Sequence, residues 1–97
     1  MYNISDKTYQ IASEMGLQIF PSDNPDKKLE VYDKKTGNFL FYAGDSEYMD
    51  YHMYLESEKK GLVPKGTADK RRQLYHIRHQ KDIEMGRKGY VVSRLLW

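Results

Sequence analysis

Leu29-Glu30-Val31-Tyr32-Asp33-Lys34-Lys35-Thr36-Gly37-Asn38-Phe39-Leu40-Phe41-Tyr42 is the stretch whose reading decides the fold. Two strand-like runs, 29–33 and 38–42, flank the tetrapeptide 34–37. Asp33 is suited to open a type I turn, and Gly37 supplies the positive φ that a bulged hairpin needs. Side chains alternate across a strand, so Leu29 and Val31 share one face of the first run. By the same rule Phe39 and Phe41 share one face of the second. These four are the expected sheet core. Tyr32, Leu40 and Tyr42 fall on the opposite face, open to a helix or a partner.

Upstream, residues 5–15 read as a short helix. Ser5 is the expected N-cap, Ile4 and Tyr9 sit at the positions of a hydrophobic staple, and Gly16 is a natural left-handed stop. Residues 17–20 read as a short strand that Pro21 ends or holds at a sheet edge. Ser22 to Asp26 is a loop by composition.

Downstream, residues 46–60 read at helical period, with Tyr48, Tyr51 and Leu55 in one row, and Gly61 stops the run. A strand over 51–55 is the competing reading. Gly61 to Gly66, with Pro64, forms a connector. Thr67 is the expected cap of a main helix over 67–85, with Asp69 favourable in its first turn. Gly86 ends that helix, and a final helical segment over 90–97 places Tyr90, Arg94 and Trp97 on one side. The expected fold is a small α+β domain: an antiparallel hairpin or three-stranded sheet packed by two or three helices.

Ninety-seven residues bound the chain to one small domain. Residues 1–21 read as an N-terminal extension to a core over 22–97. Without cysteine there is no disulfide and no thiolate metal site. The start, MYNISDKTYQ, lacks the basic and apolar runs of a secretory signal, and no stretch approaches the ~18 apolar residues of a membrane span. The expected setting is a cell interior, cytoplasm or nucleus, without secretion or membrane.

The net charge of +2 hides an asymmetry. Residues 1–58 carry five lysines against eleven acids, a net of −6, and residues 59–97 carry eleven cations against three acids, a net of +8. The two halves either pair internally or turn faces of opposite sign outward. Solvated faces with internal compensation weigh more, because most charge runs are solvated surface.

Several pieces in order resemble a family of short proteins encoded by large double-stranded DNA viruses, the giant algal and amoebal viruses among them. They are 26–29 (DKKL), the hairpin leading into 42–45 (YAGD), and Asp50-Tyr51. They continue with 70–75 (KRRQLY), Arg78-His79, Gly89-Tyr90 and the closing Leu95-Leu96-Trp97. The resemblance covers roughly residues 22–97. Its most specific part is the arginine-rich helix followed by Leu-Leu-Trp. It implies a viral, virion-associated setting rather than a mechanism. The GLVPKG connector and the N-terminal helix depart from the family's pattern and leave the partner surface open.

For catalysis the sequence offers no HExxH, P-loop, dinucleotide loop or GxSxG. His76 and His79 at i, i+3 could bind zinc only if Asp82 or Asp50 were recruited as a further ligand. The plainer reading keeps His79 partly buried beside Tyr75. The expectation is a non-enzyme with no cofactor and no metal. Lys70, Arg71, Arg72, Arg78, Lys81, Arg87, Lys88 and Arg94 are the candidate contacts for a partner protein or for nucleic-acid phosphates. Arginines set around most of the helix circumference blur a phosphate stripe. Nine tyrosines, opposite charge poles and an apolar tail favour a structural or interaction protein, a minor capsid or cement-like component. Virion or capsid proteins are the expected partners and nucleic acid is the alternative.

Tyr75, His79 and Trp97 complete the expected structural core. Chain ends usually fray, so a tail of two leucines and the single tryptophan is expected to dock. The expected seat is near Tyr75 and His79, or on the sheet face bearing Tyr32 and Tyr42. The rival is a neighbouring subunit.

Overall fold

Turn chemistry sets the hairpin, as a computed structural model describing residues 2–97 shows. The Asp33 carboxylate accepts from the backbone N–H groups of Lys35 at 2.9 Å and Thr36 at 3.1 Å. The Gly37 N–H donates to the Asp33 carbonyl at 2.8 Å. Gly37 has φ +77°, a conformation that costs an L side chain energy and glycine almost none. Three strands, β1 (Leu17–Pro21), β2 (Lys27–Asp33) and β3 (Phe39–Asp45), form an antiparallel sheet in that order. Pro21 ends an edge strand, where its missing N–H is tolerated. The sequence class, a small α+β fold, is the one observed.

The inner face of the sheet is apolar. Ile19 lies opposite Val31, and Leu29 opposite Ala43, and all four are buried together with Leu17. The alternation fails at one point. Val31 is opposite Phe41, but its neighbour Tyr32 is opposite Phe39, so Leu40 is an extra residue on β3. A bulge switches the faces of the residues beyond it. Phe39, expected in the core beside Phe41, therefore turns to the outer face and is 48% exposed. Phe41 keeps the inner face and is half-buried.

The helix α1 (Asp6–Glu14) packs along β1. The Ser5 Oγ accepts from the Thr8 N–H at 3.2 Å, as its N-cap position requires. Thr8 and Ala12 form its buried row. Within this N-terminal segment, β1 pairs with β2 and α1 lies on β1.

The second half is helical: α2 (Tyr51–Lys59), α3 (Thr67–Arg78), α4 (Gln80–Met85) and α5 (Arg87–Leu96). Sequence reasoning started the first of these five residues early, at 46. There the Asp45 carboxylate instead accepts from the Glu47 N–H at 3.1 Å, and the Tyr48 N–H donates to the Asp45 carbonyl, closing a turn. Asp50, in extended backbone, then caps α2 by accepting from the Met53 N–H at 3.0 Å. The expected long helix over 67–85 breaks at His79, whose φ of −105° and ψ of 18° leave the helical range. The final helix begins at Arg87, before the expected 90, and buries Val91, Ser93, Leu95 and Leu96.

The chain divides into two compact units, Met1–Tyr48 and Met49–Trp97. No helix among the described residues is long and apolar enough to cross a membrane.

Candidate interaction surface

The helical unit is held at its first corner by one carboxylate. Gly66, at φ +93°, occupies the N-cap of α3 and brings no side chain to cap it. Glu58 of α2 takes that role from a distance. Its two oxygens accept from the Gly66 and Ala68 N–H groups, each at 2.8 Å. Those two bonds hold the Glu58 carboxyl below its ordinary value of 4.5. Thr67, the expected cap, instead donates its hydroxyl to the Pro64 carbonyl at 2.6 Å.

Fixing α2 against α3 brings tyrosines under arginines. The Arg72 guanidinium lies 4.7 Å from the Tyr51 ring centroid, and Arg71 lies 5.7 Å from that of Tyr54. Both distances fall within cation–π range. The Tyr51 hydroxyl also donates to Asp69 at 3.1 Å. A guanidinium stacked on a ring keeps its N–H edge outward, so these arginines are oriented rather than consumed. All eight cations singled out in the sequence are exposed. Lys70, Arg71, Arg72 and Arg78 stand on α3, Lys81 on α4, and Arg87, Lys88 and Arg94 on α5.

At the far end, Trp97 stacks on Tyr75 with ring centroids 4.7 Å apart and planes 8° from parallel. Tyr75 stacks in turn on His79 at 4.3 Å. The tail therefore sits on the main helix at Tyr75 and His79, the first of the expected seats. All three side chains are half-buried rather than fully enclosed. Tyr54 adds a tilted contact to Trp97 at 6.3 Å, and a His52 ring nitrogen meets the Leu95 carbonyl at 3.2 Å. Burial, and then the nearby Asp82 carboxylate, raise the Tyr75 phenol above its ordinary value.

Beside this stack runs an open groove of about 530 Å³, with Tyr75, His79, Lys81, Asp82, Met85 and Lys88 in its walls. Its floor depends on Gly89. A Cβ there would lie 2.3 Å from the Asp82 carbonyl oxygen, so only glycine lets α5 approach α4 this closely. His79 Nδ1 lies 3.3 Å from an Asp82 carboxylate oxygen. His76 turns its ring edge-on to Tyr75. Among the described residues no group of three or more His, Cys, Asp or Glu is placed to hold a metal ion.

Sequence reasoning did not find Glu58, whose role depends on a loop-spanning contact. Tyr51 is legible only as part of an apolar row, and neither it nor Tyr54 as a support for arginine. No protein-family model, no curated protein and no solved structure matches the chain.

Proposed function

We propose that the protein is a small, non-enzymatic, virus-encoded structural and interaction protein, associated with the virion as a minor capsid or cement-like component. The observation that carries this reading is the coincidence of charge with architecture. The unit Met1–Tyr48 holds five lysines against eight acids, a net of −3. The unit Met49–Trp97 holds eleven cations against six acids, a net of +5. Opposite fields on separate compact units steer ordered docking of a module between neighbours of unlike charge. The viral setting comes from the resemblance over residues 22–97. Quantifying the protein in purified virus particles tests it: a fixed stoichiometric copy number is expected. Its absence from particles would remove the virion role.

A second reading, nucleic-acid binding, has its own support. Eight exposed cations on α3, α4 and α5, two of them held on tyrosine rings, can neutralise phosphates. On this reading duplex affinity falls steeply with salt, and replacing Arg71, Arg78 and Lys81 together flattens the slope by about three phosphate contacts. Weak or absent binding at ~150 mM salt, where surface charges act over about 8 Å, leaves the protein-interaction reading ahead.

A further inference from the structure

The outer face of the sheet carries a second feature, independent of the cationic helices. Four rings form a continuous row: Phe20 to Tyr32 at 5.5 Å, Tyr32 to Phe39 at 5.5 Å, and Phe39 to Tyr42 at 5.1 Å, each edge-to-face. Phe20 is 44% and Phe39 48% exposed. Large aromatics cost energy when left in water, and a row of them exposed on one face marks a contact surface. The register sets what lies among them. Glu30 is directly opposite Phe20 on one side and Tyr42 on the other. The carboxylate of Glu30 is fixed there, accepting from the Tyr32 hydroxyl at 2.7 Å and from the Asp23 N–H at 2.8 Å.

We propose that this face docks an arginine-bearing segment of a partner protein, with the guanidinium laid on the exposed rings and paired to Glu30. The chemistry favours a cation on three counts. Ring faces attract positive charge, a carboxylate oxygen retains a lone pair after accepting one hydrogen bond, and the exposed Asp23 adds a second acid beside Glu30. These same hydrogen bonds hold the Glu30 carboxyl low, so it stays ionised, while the Asp23 carboxyl is raised by its hydrogen bond to Glu30. The next outward residue on β2, Lys28, does not compete for the surface. It is buried, with its ammonium 5.5 Å from the Tyr2 ring centroid. Arginine fits better than lysine because a flat sheet face has no cage for a compact ammonium, whereas a planar guanidinium stacks and binds a carboxylate together. The helical unit already pairs arginine with tyrosine in this way, at Arg71 and Arg72.

The test titrates the full chain with an oligo-arginine peptide, reading backbone amide shifts by NMR. An oligo-lysine peptide of equal length is the comparison. Shifts are expected to concentrate at Phe20, Glu30, Tyr32 and Tyr42, with lysine binding more weakly. Glu30→Gln and Phe39→Ala should each weaken arginine binding by roughly five- to tenfold, the scale of one cation–π contact or one charge-assisted bond. Phe39→Ala removes an exposed ring, so it carries the test if Glu30→Gln disturbs the adjoining loop. Shifts scattered over the other acids, unaltered affinity in both variants, or no saturable binding would each overturn the proposal. Self-association of the full chain that Glu30→Gln abolishes would also overturn it, and would make a second copy the occupant. None of these results touches the reading drawn from the helical cations.

Discussion

Replacing Trp97 by alanine measures how strongly the last helix is tied to the rest of the helical unit. Trp97 is half-buried and lies flat on Tyr75 at 4.7 Å, with Tyr54 at 6.3 Å. A fully buried Trp→Ala change costs about 3–5 kcal/mol, so a half-buried one is expected to cost about 2 kcal/mol. Of that, about 1 kcal/mol belongs to the aromatic stack itself. With a urea dependence of about 1–3 kcal/mol per molar, the unfolding midpoint should fall by about 1–2 M. The assay is urea denaturation followed by the helical circular dichroism signal. In the parent protein Trp97 is the single tryptophan, so its emission reports this helix alone. A cycle with Tyr75→Ala isolates the stack, and a coupling of about 0.5–1.5 kcal/mol is expected. An unchanged midpoint, or strict additivity of the two substitutions, would refute the reasoning. Removing residues 95–97 takes away two fully buried leucines as well and should unfold the helical unit. If the truncated protein melts like the parent, the tail docks on a neighbouring subunit instead.

Two further outcomes test the corners of the helical unit. Glu58 has a folded-state value below its ordinary 4.5, so its stabilising contribution is present above 4.5 and disappears as pH falls through the depressed value. Melting temperature should therefore drop on acidification in this range, and Glu58→Gln should lower it at neutral pH while flattening the acid limb. Gly89→Ala would gain up to about 1 kcal/mol of helix propensity anywhere else. Here a Cβ 2.3 Å from the Asp82 carbonyl oxygen forces α4 and α5 apart, so thermal melts should show a net loss of about 1–3 kcal/mol.

Local chemistry was the legible part of this chain. Asp33 and Gly37 fix the turn, and Ser5 fixes the start of α1, through partners no more than four residues away. The errors arise where a choice is made over longer distances. Strict alternation put Phe39 inside, because a bulge at Leu40 leaves no mark in composition. One helix start moved and one cap changed hands: α2 begins after Asp50, whose carboxylate accepts from the Met53 N–H, and at the start of α3 the remote Glu58 takes the capping role expected of Thr67. His79 interrupts a run whose periodicity continues on both sides, and its ring stacks on Tyr75 across that break. All eight candidate cations lie on the surface, Arg72 included, although its spacing sets it on the row of Tyr75. Their tyrosine supports needed the α2–α3 pairing, which only the folded chain supplies.

The Glu58 bridge also bears on the order in which the helical unit assembles. It joins residues eight and ten apart in sequence. Loops of that length close in about 10–100 ns, far faster than the search for a distant partner. The contact between His52 and Leu95 spans forty-three residues and waits on a much larger loss of chain entropy. On loop closure alone, the α2–α3 corner is expected to form, with its tyrosine–arginine pairs, before α5 docks. The tail is then expected to close the unit last, and amide exchange should find it the first part to open.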